Sequence, residues 1–383
     1  MKTRILGRTG IPVSEIGLGG EHLQGKPYET VEQVIHAALA GGVNIMDVFM
    51  SEPEVRSNIG RALQGKRQDM VLQGHIGATW QNGQYVRSRD VGLCREFIED
   101  FLTRMGTDYI DIGMIHYVDQ PEDLDVVEHG GVLDYARELK EKGVIRAIGL
   151  SSHDPLTARL AVEHGWLDVL MFSINPAYDI LPATDVDALF KQDTWKREDL
   201  SGIDPSRMAL YEACAAAGTA ITVMKTYGAG VLFNPELSPF GCALRPEQLI
   251  HYALSRPAVS SALIGCQTLA DVEAALRYET ASDAQRDFAE TLGATAQFTG
   301  TRQCVYCNHC LPCPMEINVA AVNRALDGIL TGAPETHAAI REQYAALSAH
   351  AGDCIACGGC ESRCPFGVPV IERMKRAADV FGK

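Results

Sequence analysis

Short apolar segments alternate with amphipathic ones over roughly the first 280 residues of the chain. Eight of the apolar segments are strand-like: VSEIGLGG, VNIMDV, DMVLQGHIG, DYIDIGMIH, VIRAIGLSS, DVLMFSIN, TAITVMKT and SALIGC. Most of the gaps between them hold a stretch of helical period, such as VEQVIHAALAGG. Eight alternating β and α units predict an α/β fold of the (β/α)8 TIM barrel type, whose strands are almost continuously apolar because both of their faces are buried.

A doubly wound parallel sheet is the alternative arrangement for this pattern. The barrel is favoured because no G-x-G-x-x-G motif follows any of the eight segments, so the usual dinucleotide fingerprint of the doubly wound fold is missing. The longest interruption, residues 176–207, follows the sixth segment. At that place it would cover the C-terminal rim of a barrel, and we predict that it is a lid.

Two blocks of closely spaced cysteines lie near the end of the chain. The first, CVYCNHCLPCP, contains Cys304, Cys307, Cys310 and Cys313, and the second, CIACGGCESRCP, contains Cys354, Cys357, Cys360 and Cys364. The second block fits the C-x2-C-x2-C-x3-C-P pattern that ligates [4Fe–4S] clusters in bacterial ferredoxins, while the first has one residue fewer before its last cysteine. Eight thiolates predict two [4Fe–4S] clusters, and zinc held by paired C-x2-C knuckles is the alternative.

The two blocks define the predicted second domain. In two-cluster ferredoxins the fourth cysteine of each block ligates the other cluster, which pairs Cys364 with the first block and Cys313 with the second. The blocks flank a helical segment that runs from INVAAVNRALDGIL to EQYAALSAH. We predict a barrel at residues 1–282 and a small α-helical, ferredoxin-like iron–sulfur domain at residues 283–383, where the clusters stand in for a core that so short a unit cannot build.

Composition and charge fit an intracellular redox protein. The 383 residues include twelve cysteines and carry a net charge of −15. Cysteines in metal spacing indicate a reducing compartment, and MKTRILGRTG lacks the apolar core of a signal peptide, so we expect a cytoplasmic protein. The negative charge disfavours nucleic acid and anionic membranes as partners, and no run of about 18 apolar residues occurs. A small-molecule substrate and a redox partner protein are the expected partners.

Several segments together resemble the aldo-keto reductase family. They are MKTRILGRTGIPVSEIGLGG, GVNIMDV, YVRSRDVGLCREFIEDFLTRMGTDYIDIGMIH and VIRAIGLSSHD. With the two cysteine blocks behind them, the chain is similar to the branch of that family which carries a C-terminal ferredoxin-type domain. The resemblance spans nearly the whole chain.

The resemblance implies an active site of an Asp, a Tyr, a Lys and a His at the strand ends, where the Tyr protonates a carbonyl oxygen as a nicotinamide delivers hydride. Asp47 matches the Asp and His116 matches the His, but Glu52 stands at the Tyr position and His75 at the Lys position. A carboxylate is a poor proton donor near neutral pH unless burial raises its pKa. We therefore expect slow or absent reduction of ordinary aldehydes and ketones with NADPH.

Three further strand-end residues are candidates for the site. Lys225 and Tyr227 follow the seventh strand, where they could supply the missing cation and phenol. His153 follows the fifth strand, in a segment that suits either helix capping or a functional role.

The resemblance also implies a bound nucleotide. ALIGCQTLADVEAAL resembles the family's phosphate-binding loop and helix. Gln267 stands where members often have Arg, and Met171 where many have Gln; both weaken NADPH but leave NADH, or FMN in the same barrel mouth, open. The residues expected to contact the cofactor are Ser151, Ser152, Asn175, Gly265, Cys266, Gln267 and Glu273.

These observations favour an iron–sulfur oxidoreductase that acts on a small organic substrate in the barrel mouth, with electrons relayed through two [4Fe–4S] clusters. A flavin would suit such a relay because it converts between one-electron and two-electron transfer. The alternatives are an accessory electron-transfer subunit with a non-catalytic barrel, and an NAD(P)H-dependent carbonyl reductase whose site has been rebuilt.

Overall fold

The computed structural model describes residues 1–180, 202–295, 302–332 and 334–383. Its strands, in chain order, are β1 (Thr3–Ile5), β2 (Pro12–Ser14), β3 (Ile16–Gly19), β4 (Ile45–Val48), β5 (Val71–Ile76), β6 (Ala78–Gln81), β7 (Gln84–Arg87), β8 (Ile110–Ile115), β9 (Ile145–Ser152), β10 (Val169–Ser173), β11 (Ala220–Met224) and β12 (Val259–Gly265). Eight of them close into a barrel in the order β3-β4-β5-β8-β9-β10-β11-β12. All neighbours in the barrel pair in parallel, which confirms the predicted barrel and excludes the doubly wound sheet.

Helices follow most of the barrel strands. The α-helices of the described residues are α1 (Tyr28–Ala40), α2 (Pro53–Ala62), α3 (Val91–Met105), α4 (Pro121–His129), α5 (Val132–Glu141), α6 (Pro155–Glu163), α7 (Pro176–Ile180), α8 (Pro205–Ala217), α9 (Pro246–Leu254), α10 (Leu269–Thr280), α11 (Asp283–Arg286), α12 (Phe288–Gly293), α13 (Val319–Thr331), α14 (His337–Ala345), α15 (Gly359–Ser362) and α16 (Val370–Phe381). Side chains cap several of them: Asp90 accepts from the Leu93 N–H at the start of α3, and Asp154 accepts from the Thr157 N–H at the start of α6. Such caps satisfy backbone donors that the first turn of a helix leaves open.

The barrel interior is apolar at the end where the strands begin. The N-terminal hairpin of β1 and β2 closes this end, because its apolar residues join one cluster with the first residues of several strands. The cluster includes Leu6, Ile11, Val13, Ile45, Val169 and Ala220. Polar side chains are therefore left to the opposite, C-terminal ends of the strands, where barrel enzymes carry out their chemistry.

An antiparallel hairpin of β6 and β7 interrupts the barrel between β5 and α3. Its two-residue turn is Asn82–Gly83, and both residues have positive φ, 53° and 79°. This is the conformation of a type I′ turn, for which Asn-Gly is the preferred sequence because its twist matches that of the two strands. The hairpin pairs Trp80 with Tyr85 and holds Tyr85 beyond the end of β5.

The chain divides into two compact units. The first consists of Met1–Asn175, Glu212–Ala229 and Pro246–Arg286, and the second of Pro176–Tyr211, Gly230–Arg245 and Asp287–Lys383. The second unit thus includes two segments that precede residue 283. Most of the predicted lid, at 181–201, lies outside the described residues.

Within the second unit, the cysteine blocks flank two helices, α13 and α14. These helices and α16 contribute a small buried core that includes Val322, Leu326, Ile340, Tyr344 and Met374. Across the described ranges, no helix combines the length and the hydropathy that a membrane span requires.

Candidate active site and thiol cavity

Three buried side chains at the C-terminal ends of neighbouring strands form one hydrogen-bonded chain. Asp47 lies in β4, His75 in β5 and His116 directly after β8. The Nε2 of His75 lies 2.8 Å from Oδ1 of Asp47, and its Nδ1 lies 2.7 Å from Nδ1 of His116. Gln73, two residues before His75 and so on the same face of β5, donates its Nε2 to the same Asp47 oxygen at 2.9 Å. The parallel register of β4, β5 and β8 therefore brings these groups together.

Tyr85 extends this chain toward solvent. Its hydroxyl lies 2.6 Å from Nε2 of His116, and its side chain is 42% exposed. Phe49 fixes the arrangement from one side, because its ring stacks on His116 at 5.6 Å and meets the edge of Tyr85 at 6.3 Å. A phenol thus stands beside the strand-end histidine, although it comes from the hairpin and not from the segment after β4.

The hydrogens of this chain have a defined direction when both imidazoles are neutral. An ionised carboxylate only accepts, so Asp47 accepts from Nε2–H of His75. The Nδ1 of His75 is then an acceptor for Nδ1–H of His116, whose Nε2 in turn accepts from the Tyr85 hydroxyl. Every hydrogen along the chain therefore points from Tyr85 toward Asp47.

Electrostatics favour this neutral form. Burial is the main cause that holds the pKa of His116 well below its usual value, and His75, Arg89, His153 and Arg87 act in the same direction. Burial also raises the pKa of Tyr85, while Arg87 and Arg89 oppose that rise. At neutral pH His116 is an uncharged acceptor and Tyr85 is a protonated phenol.

Two predicted catalytic residues lie outside this chain. Glu52 is half-buried at the start of α2. Within the described part of the chain, its carboxylate makes no hydrogen bond to His75 or His116. Tyr227 lies near Cys266 and Asp271, and burial raises the pKa of its phenol far above the usual value.

Lys225 belongs to a second hydrogen-bonded cluster. Its Nζ lies 2.8 Å from Nε2 of His153, whose Nδ1 lies 3.0 Å from Oδ2 of Asp119. Asp119 also accepts from the His153 backbone N–H at 2.7 Å. Burial alone would raise the pKa of the Asp119 carboxyl, but its bonds to His153 lower that pKa overall. Tyr117 lies between the two clusters, with ring centroids 6.2 Å from His116 and 5.1 Å from His153. The side chains that end β8, β9 and β11 thus line one side of the barrel mouth.

Three predicted cofactor residues support this side of the mouth. Ser151 accepts the Tyr117 backbone N–H at 2.8 Å, and Ser152 donates to Asp119 at 3.1 Å. Asn175 donates its Nδ2 to the carbonyl of Lys225 at 2.8 Å. The amide of Asn175 thereby holds Lys225, whose φ of 59° is unusual for a residue other than glycine.

The predicted phosphate-binding loop follows β12. Asp271 forms a capping box with Thr268, and its Oδ2 accepts the backbone N–H groups of Gln267 and Thr268 at 3.0 and 2.9 Å. Two donors that a phosphate would use are therefore already taken by a carboxylate. Lys26 brings a positive charge to the same loop through a 3.2 Å contact with the Gln267 side chain.

The other predicted residues of this region differ in exposure. Gly265 ends β12, where a side chain would collide with the ring of His22, which would lie 2.2 Å from a Cβ. Cys266 is buried, and burial raises the pKa of its thiol to about 12. Glu273 is exposed on α10, and Met171 lies in the barrel interior with its sulfur 3.7 Å from Nε2 of Gln73.

The cysteine blocks meet within the second unit. One apolar cavity is lined by cysteines of both blocks, together with residues such as Ile317, Val319 and Met374. The cysteines are Cys310, Cys313, Cys354, Cys357 and Cys360. The cavity thus contains Cys313 beside the first three cysteines of the second block, and it also contains Cys310, which the cross-ligation rule assigns to the other cluster.

Other thiols of the two blocks are also near one another, since Cys304 lies near Cys307, and Cys310 lies near both Cys307 and Cys364. Burial, with the nearby charges of Cys307, Cys360 and Cys364, raises the pKa of Cys310 to about 12. Among the described residues, no three of the cysteine sulfurs all lie within 4.8 Å of one another. A tetrahedral zinc site with bonds of about 2.3 Å would need its sulfurs about 3.8 Å apart, which is closer than this arrangement.

Three participants in the site were not predicted from the sequence: Tyr85, Gln73 and Asp119. A signal for Tyr85 was present, because Asn82–Gly83 between alternating residues is the strongest short-range indication of a hairpin. Gln73 was detectable as a polar residue inside an otherwise apolar strand. Asp119 carried no local signal, since its role depends on the packing of one strand end against another.

Residues 15–192 match the model of the Aldo/keto reductase family. The "Uncharacterized oxidoreductase YqkF" of Bacillus subtilis is 30% identical over 159 residues, which cover 40% of this chain and 50% of that protein. The "Aldo-keto reductase YhdN" of the same organism is 33% identical over 156 residues, 38% of this chain and 45% of that protein. The "NADH-specific methylglyoxal reductase" of Escherichia coli is 30% identical over 202 residues, 47% of this chain and 60% of that protein. The chain thus spans about half the length of the curated relatives it matches.

Solved structures agree on the fold. The holo form of the aldo-keto reductase AKR11C1 from Bacillus halodurans superposes with a TM-score of 0.60 at 22% identity, covering 76% of this chain and 96% of that one. A putative aldo-keto reductase from Pseudomonas aeruginosa, PA4992, gives a TM-score of 0.55 at 21% identity, covering 72% of this chain and 96% of that one. At this identity the likeness concerns the barrel architecture alone.

Proposed function

Taking the chain as an aldo/keto reductase-like oxidoreductase, as its family match and relatives support, we propose that the barrel transfers hydride between a nicotinamide cofactor and a small carbonyl compound or the corresponding alcohol. The observation that carries this proposal is the buried chain from Asp47 through His75 to His116 at the C-terminal strand ends. The sequence favoured an iron–sulfur oxidoreductase and held a rebuilt carbonyl reductase as an alternative. The relatives favour that alternative.

The residues present fit the nicotinamide end of such a cofactor. Ser151, at the end of β9, and Asn175, just after β10, hold Tyr117 and Lys225 at the mouth where a nicotinamide would lie. At the phosphate end, Lys26 contributes a positive charge, while Asp271 occupies two backbone donors with a negative one. We propose NADH over NADPH, because the Asp271 carboxylate disfavours an additional phosphate at this loop. When bound, the cofactor supplies or accepts hydride; the side chains of the barrel mouth move the proton.

Oxidation of NADH by a panel of short aldehydes, including methylglyoxal, tests this function in anaerobically purified protein. We expect saturable turnover in the common enzyme range of about 1–10³ s⁻¹ with at least one aldehyde. His116→Ala should abolish turnover, because the hydrogen-bonded chain from Asp47 would then stop at buried His75 and would not reach the barrel mouth. His164→Ala removes an exposed histidine that contacts Glu128 and should leave turnover unchanged. If no aldehyde or alcohol in the panel changes the NADH or NAD⁺ signal, the proposal is wrong.

A second function has its own supporting observation, the cavity that brings cysteines of both blocks together. We propose that the second unit holds two [4Fe–4S] clusters, one on Cys304, Cys307, Cys310 and Cys364 and the other on Cys313, Cys354, Cys357 and Cys360. The donor set fits, since each cluster takes four thiolates. Such clusters supply one-electron transfer, so the chain would exchange electrons with a redox partner protein.

Iron, sulfide and zinc analysis of anaerobically purified protein tests this second function. About eight irons and eight sulfides per chain are expected, four of each for each cluster. Zinc at one or two per chain with little iron would contradict the clusters and would leave the hydride-transfer proposal untouched.

A further inference from the structure

The hairpin of β6 and β7 supplies a phenol to the histidine that ends β8. We propose that Tyr85 is the acid/base residue of this barrel, and that the chain Tyr85–His116–His75–Asp47 conducts the proton which it exchanges with the substrate. This inference rests on the proposed hydride-transfer function. It assigns the role to a residue outside the segment after β4, where the resemblance had put Glu52.

Geometry makes Tyr85 the group at the mouth. Its hydroxyl is the outermost member of the chain, 2.6 Å from His116, whereas His75 and Asp47 are each about 2% exposed. A substrate oxygen can therefore reach Tyr85, but not the two residues behind it. Phe49 packs on both Tyr85 and His116 and keeps the phenol at the edge of the imidazole.

The direction of the hydrogens determines which step the resting chain performs. The Tyr85 hydroxyl donates to His116, so its free lone pair faces outward and accepts a proton from a substrate alcohol. As the alcohol O–H breaks, a new O–H forms on Tyr85, whose own proton passes to Nε2 of His116. The Nδ1 proton of His116 moves to His75, and the Nε2 proton of His75 moves to Asp47. The net result is one proton moved from substrate to Asp47, while the two electrons leave the substrate carbon as hydride to an oxidised nicotinamide.

Carbonyl reduction needs the opposite state. It starts where oxidation ends: the extra proton is on Asp47, His75 carries hydrogen on Nδ1, and Nε2–H of His116 donates to Tyr85, so the phenolic hydrogen turns outward to the carbonyl oxygen. Without that extra proton, donation would leave Tyr85 as a phenolate, which its partly buried position disfavours. The charged or titratable groups that face the pair are His75, His153, Tyr117, Arg87 and Arg89.

NMR of the cofactor-free protein tests the chain independently of activity. In protein labelled with ¹⁵N-histidine near neutral pH, the His116 signals should report a neutral ring with hydrogen on Nδ1 and a hydrogen-bonded Nε2. Tyr85→Phe should remove that hydrogen bond and raise the pKa of His116, because the bond favours the neutral ring. Tyr109→Phe is the matched control. Tyr109 lies directly before β8, at the end opposite to His116, so this variant should leave the His116 signals unchanged. Hydrogen on Nε2 in the wild type, or no change in Tyr85→Phe, overturns the proposal.

Kinetics supply the second measurement. For whichever alcohol and aldehyde pair the enzyme turns over, Tyr85→Phe should lower kcat by about 10²–10⁴-fold, the usual contribution of a positioned acid or base. KM and NADH binding should change little, and Tyr109→Phe should behave as wild type. A Tyr85→Phe enzyme within about threefold of wild type overturns the role of Tyr85 even if hydride transfer itself is established. A higher kcat in this variant would mean that the hairpin blocks the site, and it also overturns the role.

Discussion

Asp47→Asn separates the proton-accepting role of Asp47 from its structural role. Oδ1 of Asp47 accepts both N–H groups, from His75 at 2.8 Å and from Gln73 at 2.9 Å. An asparagine that keeps its oxygen in this place retains both hydrogen bonds and the resting tautomers of the two histidines. It cannot take up the proton that arrives through the chain. The substitution is therefore mild for folding and severe for catalysis.

The magnitudes follow from these two contacts. A hydrogen bond to a charged acceptor is worth about 1 kcal/mol more than one to a neutral acceptor, so two such bonds cost about 2 kcal/mol. Removing a carboxylate that is only 2% exposed gives back part of that cost, since a buried charge is expensive to desolvate. We expect the free energy of unfolding to fall by about 0–2 kcal/mol. We expect kcat to fall by about 10²–10⁴-fold, as when an acid/base chain loses its terminal carboxylate.

Asp111→Asn is the matched control at the opposite end of the barrel. Asp111 is also about 2% exposed and accepts from Arg67 at 3.0 Å, Arg146 at 2.7 Å and the Leu72 backbone at 3.0 Å. Half-exposed Arg146 contributes little, but the more buried Arg67 loses its counter-charge, so this variant should be destabilised by about 2–3 kcal/mol. Its kcat should stay at the wild-type value.

Chemical denaturation and steady-state kinetics should show opposite effects in the two variants. Asp47→Asn should lose activity and at most about 2 kcal/mol of stability, whereas Asp111→Asn should lose about 2–3 kcal/mol of stability and keep its activity. Asp47→Asn with kcat within about threefold of wild type would show that no proton reaches Asp47 during turnover.

Three more predictions follow from other parts of the chain. Cys364→Ser should reduce iron from about eight to about four atoms per chain and remove the cluster of the first cysteine block, as electron paramagnetic resonance can show; unchanged iron would contradict cross-ligation. Asp271→Ala should cost about 1 kcal/mol of stability through loss of a helix cap, yet tighten NADH binding in fluorescence titrations because two backbone donors become available; weaker binding would mean that the loop does not hold phosphate. Arg87→Met removes a positive charge that lowers the pKa of His116, so that pKa should rise, and carbonyl reduction, which needs one extra proton on the Tyr85–His116–His75–Asp47 chain, should persist to higher pH; pH profiles of kcat/KM check the sign.

The barrel was predictable from the sequence because its signal is repeated. All eight segments, from the one that contains Ile16 to the one that contains Ala262, became barrel strands, since a strand buried on both faces must be apolar along its length. Asp47, His75 and His116 were predictable as neighbours for a related reason. Parallel strands present their ends at one rim, so a polar residue that ends such a strand faces the mouth.

The source of the phenol was not predictable in the same way. Tyr85 reaches His116 only because the Asn82–Gly83 turn folds residues 78–87 into a hairpin at the end of β5. An alternating pattern of this length predicts two strands, but it does not predict the position of the hairpin relative to the barrel. Lys225 illustrates the same limit. Its position at a strand end was predictable from the sequence. Its contact with His153, however, depends on a positive φ at Lys225, which the sequence KTYG does not predict.

With the role proposed for Tyr85, the hairpin that holds it also determines how the proposed activity responds to heat and denaturant. A two-stranded ribbon is marginally stable by itself, so we expect this one to open at a free-energy cost below that of unfolding the barrel. Only molecules with the ribbon closed have the phenol beside His116, and the measured rate is therefore the intrinsic rate multiplied by the closed fraction. Inactivation should precede the loss of helical circular dichroism, and hydrogen exchange at β6 and β7 should be faster than at β5 and β8. Strengthening the ribbon, without any change at the strand ends, would then widen the temperature range over which the proposed activity persists.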